Sequence, residues 1–97
     1  MKLFDGNDEI ELSRMEIMEL DDVKLAEIYR ATDVYKSAIR QMMDQRAEVL
    51  GPLLEEVSTS VDFLLTELVR RLGEKEALEF AAEVSLMIIL EENDETN

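Results

Sequence analysis

Apolar residues recur at helical spacing along most of the chain after residue 20. In residues 22–50, two series with a spacing of seven residues form a heptad-like seam: Leu25, Thr32, Ile39 and Arg46, and three positions later Ile28, Tyr35, Met42 and Val49. Six of these eight positions are apolar, which predicts a long helix that packs along another helix. Thr32 and Arg46 are unusual residues for a dry seam.

Glycine and proline predict where the helices begin and end. Asp21 or Asp22 can cap the first helix, and Gly51 is expected to end it in a left-handed conformation. Pro52 suits the first turn of a second helix, which Gly73 then ends. The sequence therefore predicts helices over about 22–50, 52–72 and 74–91.

The third predicted helix contains the apolar run Leu86-Met87-Ile88-Ile89-Leu90. Such a run covers nearly the whole circumference of a helix, and a helix that is apolar on all sides is normally buried on all sides. A chain of 97 residues offers few neighbours for it, so we expect oligomerisation. A short buried strand over the same five residues is the alternative.

The first twenty residues allow two interpretations. A turn signal at 5–8 lies between short apolar segments and is typical of a hairpin, whereas Ser13 and Glu16 are spaced like the capping box of a short helix. Because an isolated hairpin is marginal in water, an irregular or short helical arm is favoured. The predicted organisation is an acidic arm at 1–20, one helical domain at 21–92 and an acidic tail at 93–97.

The composition excludes several classes of function. The chain has no cysteine and no histidine, so it lacks disulfides, thiolate ligands, histidine-dependent triads and the usual zinc ligands. Its longest apolar run is far shorter than the roughly 20 residues that a membrane span requires, and no signal-peptide pattern begins the sequence. We therefore expect a soluble cytoplasmic protein.

Charge is distributed unevenly along the chain. The net charge is −14, with eight acids and two bases in residues 1–22, four and five in 23–50, four and two in 51–73, and eight and one in 74–97. This excess repels nucleic-acid phosphates and anionic lipids, so direct contact with either is not expected. The acidic ends either keep the protein solvated or meet a basic partner.

Two clusters of acids invite a comparison with a known family. Glu55 and Glu56 precede Glu76, Glu79 and Glu83 on the next predicted helix, and carboxylates on facing helices can hold Mg²⁺. The segment Leu53-Leu54-Glu55-Glu56-Val57 resembles the all-α nucleotide pyrophosphohydrolases of the MazG type, which use an E-E-x-x-E helix followed by an E-x-x-D helix. The resemblance implies magnesium-dependent nucleotide hydrolysis. However, Thr59 and Ala82 stand where two of the family's acids are expected.

These observations together predict an all-α, three-helix arrangement with a long first helix and an irregular N-terminal arm, assembled into an oligomer. The expected function is that of a small acidic protein-interaction module, such as an adaptor, regulator or assembly factor, with no catalytic activity, cofactor or metal. Its expected partners are a second copy of itself and another protein. Alternatives are an acidic nucleic-acid mimic that inhibits a basic protein and an atypical hydrolase of the kind just described. The predicted oligomer interface comprises Leu25, Ile28, Tyr35, Ile39, Met42, Leu86, Ile89 and Leu90.

Overall fold

The protein is mostly helical, with one long helix and two short strands. A computed structural model describes the backbone of residues 1–95 and the side chains of residues 1–84 and 86. The elements in chain order are β1 (Lys2–Asp5), β2 (Asp8–Glu11), α1 (Arg14–Met18), α2 (Asp22–Leu72) and α3 (Glu74–Glu95). The predicted helical class is confirmed, whereas the N-terminal region and one helix boundary differ from the prediction.

Helix α2 is folded back on itself at Arg46, whose φ of −146° and ψ of 48° are not helical. A straight helix of 51 residues would be about 76 Å long at 1.5 Å per residue, whereas the longest dimension of the protein is 38 Å. Near the end of α2, Arg71 binds the Asp22 carboxylate at its beginning. Helix α2 therefore consists of two antiparallel arms, a first arm at 22–45 and a second arm at 47–72.

The predicted helix boundary at Gly51 and Pro52 is wrong. Within the described backbone, positive φ angles occur at Gly6 and Gly73 and not at Gly51, which lies inside the second arm. The break at Arg46 lies instead within the exposed polar segment 44–48. A break there removes no apolar side chain from the core, because none of these five side chains is buried.

The N-terminal arm is not irregular: strands β1 and β2 form the antiparallel hairpin that was the alternative, and the short helix predicted from Ser13 and Glu16 follows as α1. Its register pairs Leu3 with Ile10 and Phe4 with Glu9. Leu3 and Phe4 are buried, and the Phe4 N–H donates a hydrogen bond to Thr32 Oγ1 at 3.0 Å. Docking on α2 thus gives the hairpin the burial that an isolated hairpin lacks.

The predicted caps are confirmed at two helix starts. Ser13 Oγ accepts a hydrogen bond from the Glu16 N–H at 3.1 Å, and Glu16 Oε1 accepts one from the Ser13 N–H at 3.1 Å. Asp21 Oδ1 accepts a hydrogen bond from the Lys24 N–H at 2.7 Å and caps α2. These side chains satisfy N–H groups that have no partner within the helix.

Helix α3 packs against α2 through one face that contains Ala77, Ala81 and Val84. The backbone of residues 86–90 is helical, so the alternative of a strand there is wrong. The helix continues to Glu95 and so includes most of the segment that was predicted to be a tail. Leu3, Phe4 and Ile17 join residues of α2 and α3 in one hydrophobic core.

Candidate interaction surface

Three residues of the predicted oligomer interface lie in the core of the single chain. Leu25, Ile28 and Ile39 have at most 1% of their surface exposed. The chain itself covers them, because the second arm folds back beside the first and β1 docks on α2. Their apolar spacing reflects internal packing, so these three side chains are not available to a second subunit.

Other predicted interface residues are exposed. Tyr35, Met42 and Leu86 expose 42%, 49% and 58% of their surface. The side chains of Ile89 and Leu90 lie outside the described residues. Several exposed large apolar side chains in a small protein indicate an interaction surface, because monomers rarely expose extended apolar patches.

Exposed apolar residues of the first arm form a continuous face, which we name the outer stripe. It comprises Val34, Tyr35, Ala38 and Met42, together with the partly buried Ala31 at its edge, which packs against the core. These residues share one side of the helix because they recur at spacings of three and four residues. Val34 is 62% exposed. Sequence reasoning missed it because it lies outside both heptad series, although its spacing from Ala31 and Ala38 marks the same face.

The aromatic ring of Tyr35 is fixed by the hairpin. It stacks on the buried ring of Phe4 with a centroid distance of 3.8 Å and an interplanar angle of 19°. A side chain that is already held in one position loses little conformational entropy when a partner binds. Tyr35 is therefore a preorganised apolar contact at the edge of the outer stripe.

The outer stripe lies on an electrically neutral segment of a strongly acidic protein. Residues 31–45 contain two acids, Asp33 and Asp44, and two bases, Lys36 and Arg40, whereas the whole chain carries −14. The other exposed polar residues near the stripe include Gln41 and Gln45, which carry no charge. Two copies can approach each other here with little repulsion.

A buried carboxylate holds the end of the second arm. Glu67 is almost fully buried, and its Oε1 and Oε2 accept hydrogen bonds from Arg70 at 2.6 and 3.0 Å. Arg71 Nε donates another bond to Oε1 at 3.0 Å. The bonds from Arg70, joined by those from Arg71, lower the pKa of Glu67 from its ordinary 4.5 to about 2 against the opposing effect of burial.

Arg71 carries this network across the fold to the beginning of α2. Its guanidinium donates to the Leu20 carbonyl at 2.6 Å, to the Met18 carbonyl at 2.7 Å and to Asp22 Oδ1 at 3.0 Å. The bonds join residues 49 to 53 positions apart in the sequence. The network, which we name the arm closure, fixes the two arms of α2 beside each other.

A second exposed apolar surface lies on α1. Met15 and Met18 are exposed, lie three residues apart on one side of the helix and have exposed acids at Glu16 and Glu19 beside them. Thioether side chains adapt to different partners. Met43, on the first arm, is only partly exposed.

The acidic residues behind the hydrolase resemblance are exposed on α2 and α3. Across the described residues, no group of three or more acidic side chains is arranged to hold a metal ion. Thr59 stands at one of the family's acid positions, and its hydroxyl donates a hydrogen bond to the Glu55 carbonyl of its own helix at 3.0 Å. The described geometry thus does not reproduce the carboxylate cluster that the resemblance implies.

Comparison with protein-family models, with curated proteins and with solved structures finds no match to this chain. None of the helices, as far as they are described, has the length and apolar character needed to cross a membrane. The interaction surfaces themselves are thus the basis for a functional proposal.

Proposed function

We propose that the protein is a non-catalytic interaction module that pairs with a second copy of itself through the outer stripe. The observation that supports this proposal is the exposure of Val34, Tyr35 and Met42 on one continuous face of the first arm. The single chain already has its own core, and these three side chains are not among the residues that form it. An adaptor, a regulator or an assembly factor acts through contacts of this kind.

The distribution of charge favours the outer stripe over the ends of the chain as the place of contact. Residues 1–22 carry a charge of −6 and residues 74–97 carry −7. Contact between two such regions would bring like charges together, whereas residues 31–45 have no net charge. Self-association should therefore persist at low ionic strength, where repulsion between the acidic regions is strongest.

The proposal includes a second contact on α3, at residues 84–90, which contain no charged side chain although residues 74–97 as a whole carry −7. Leu78 and Leu86 are both more than half exposed and extend the apolar surface of this helix. The predicted interface residues Ile89 and Leu90 follow Leu86 on the same helix and remain part of the proposal. Contacts through both the first arm and α3 would build an oligomer larger than a dimer.

The exposed methionines of α1 suit a different partner. Met15 and Met18 lie beside acidic residues rather than on a neutral segment, so a second copy of this acidic chain would be repelled there. We assign this surface to another protein, whose contacting segment should be basic and apolar. The module would thereby hold that protein while it pairs with itself elsewhere.

Sedimentation velocity between micromolar and hundred-micromolar concentrations tests self-association. We expect wild-type protein to have at least twice the 11.2 kDa mass of one chain. Met42→Glu should shift the equilibrium toward the monomer, because burying a lone carboxylate costs several kcal/mol. Met15→Glu is a matched control, since the same substitution is made at a residue that is 72% exposed and lies outside the outer stripe.

Two results would contradict the proposal. One is a wild-type protein that remains a monomer over the whole concentration range. The other is an equal loss of association in both variants, since this would reflect added negative charge rather than loss of the outer stripe. Circular dichroism of each variant checks that the helical content is unchanged.

A further inference from the structure

Helix α2 reverses its direction in a segment whose residues favour a continuous helix. Within α2, which is described over its whole length, Arg46 alone has non-helical dihedral angles. Residues 42–50 around it contain no glycine, proline or asparagine, and seven of the nine are Met, Gln, Arg, Ala, Glu or Leu, which have high helix propensity. A change in the backbone of this one exposed residue would therefore make α2 straight.

The core-facing positions of the two arms belong to one series with a spacing of seven residues, and Arg46 is its middle member. The other members are buried or partly buried: Leu25, Thr32, Ile39, Leu53, Ser60 and Glu67. Residues at this spacing lie on one side of a helix. Two helices joined by an ordinary turn have no need to keep this spacing across the turn. A straight α2 would thus present the core-facing residues of both arms on one continuous side.

The break divides the fold into an N-terminal half, residues 1–45, and a C-terminal half, residues 47–95. Arg71 of the C-terminal half donates hydrogen bonds to the Leu20 carbonyl and to Asp22 Oδ1 of the N-terminal half. Arg14 of the N-terminal half lies over the Phe63 ring of the other, 5.7 Å from its centroid. In a straight α2, Arg71 would lie about 74 Å from Asp22, so a second chain would have to supply these partners.

Two straight copies of α2, related by a two-fold axis beside Arg46, would supply them. The first arm of each copy then lies antiparallel beside the second arm of the other, as the two arms already lie within one chain. The arrangement is closed, because each half of one copy is matched by the complementary half of the other. The main-chain groups at the break also gain the partners that a continuous helix provides.

From the helix-forming residues at the break and the continuous series of core positions, we infer that the protein forms a domain-swapped dimer. In this dimer α2 is straight, and residues 47–95 of each copy pack on residues 1–45 of the other. The inference goes beyond the proposed pairing through the outer stripe, because it exchanges contacts that already exist inside the single chain. Exchange requires the arm closure to open, so the swapped dimer should form when concentrated chains refold together and should dissociate slowly on dilution.

NMR tests which chain supplies each contact. An equimolar mixture of isotope-labelled and unlabelled chains is refolded from urea at hundred-micromolar concentration, and the dimer is isolated by size-exclusion chromatography. Isotope-filtered NOE spectra should show Arg14 of one copy beside Phe63 of the other. The stacked rings of Phe4 and Tyr35 are the matched control, because both belong to the N-terminal half and their contact should stay within one copy.

Two substitutions at the break test the straight helix. Glycine is less favourable than alanine inside a helix by a factor of roughly five per residue, and the swapped dimer contains two such sites, so the dimerisation constant of Arg46→Ala should exceed that of Arg46→Gly roughly 25-fold. Size-exclusion chromatography after refolding at equal concentrations measures the dimer fraction of both variants. Circular dichroism checks that both variants fold.

The outcomes distinguish this inference from the proposed function. A dimer in which the contact of Arg14 with Phe63 stays within one copy would overturn the swap while pairing through the outer stripe stands. Equal dimer fractions for the two Arg46 variants, or complete refolding to the monomer at hundred-micromolar concentration, would also overturn it. If Val34→Glu, a change in the outer stripe, leaves a dimer with the Arg14 and Phe63 contact between copies, the swap is supported and does not depend on the outer stripe.

Discussion

Arg71→Met should strongly destabilise the protein, because it removes the guanidinium from the arm closure and keeps much of the aliphatic side chain. Arg71 is largely buried and binds Glu67, Asp22 and two main-chain carbonyls. Removal of one partner of a buried ion pair costs about 3–5 kcal/mol. Glu67 keeps Arg70, and Asp22 is half exposed, so the lower value of about 3 kcal/mol is expected.

Arg70→Met is the matched control for this prediction. Arg70 binds the same carboxylate, but its side chain is 63% exposed and, in the contacts of the described residues, does not reach the beginning of α2. We expect it to lower the free energy of unfolding by about 1 kcal/mol or less, as partly exposed ion pairs do.

Urea denaturation followed by circular dichroism, at one fixed protein concentration, measures both variants. A difference of about 2 kcal/mol between them would be a large part of the 5–15 kcal/mol that stabilises a typical domain. Equal effects of the two substitutions, or a loss below about 0.5 kcal/mol for Arg71→Met, would show that the long-range bonds of Arg71 do not stabilise the fold.

Three further predictions concern single side chains. Thr32→Val should lower the free energy of unfolding by about 1–3 kcal/mol, because it leaves the buried Phe4 N–H without an acceptor. Thr32→Ser keeps the hydroxyl and should lower it less, and urea denaturation measures both variants. Gly51→Ala should raise the free energy of unfolding by about 0.5–1 kcal/mol, since Gly51 is helical with open space around it, whereas Gly73→Ala should lower it because φ there is +89°. The pKa of Glu67 is lowered from 4.5 to about 2, so its stabilising effect is present above pH 4.5 and is lost as the pH falls toward 2. In acid titrations, the difference in the free energy of unfolding between wild type and Glu67→Gln should therefore shrink over that range. A constant difference would contradict this assignment.

Local sequence signals predicted the parts of the fold that depend on neighbouring residues. The caps at Ser13 and Asp21 and the end of the second arm at Gly73 are all correct, because each depends on a few adjacent main-chain groups. The prediction at Gly51 was wrong because glycine occurs both inside helices and directly after them, and the packing of the chain decides which of the two applies. The break at Arg46 was not predicted, because a charged residue in the seam, like Thr32, can also lie within a continuous helix.

The interaction surface could be predicted only in part for a related reason. Heptad spacing identifies residues that face another helix, but it does not say whether that helix belongs to the same chain. Ile39 and Met42 are both seam residues, yet the first is buried by the chain itself and the second is exposed. Likewise, Thr32 looked like a defect in the seam until the hairpin supplied an N–H group for its hydroxyl.

The arm closure also bears on the lifetime of the folded protein. Its bonds connect residues about fifty positions apart, so they form only after the intervening chain has lost the conformational freedom that a loop of this length has. We therefore expect the bonds of the arm closure to form after the transition state of folding. Contacts of this kind slow unfolding and leave the folding rate almost unchanged. Stopped-flow experiments on Arg71→Met should therefore show an unfolding rate that is more than tenfold higher than that of the wild type and a nearly constant refolding rate. The Arg71 guanidinium would then prolong the lifetime of the native state without affecting how fast it forms.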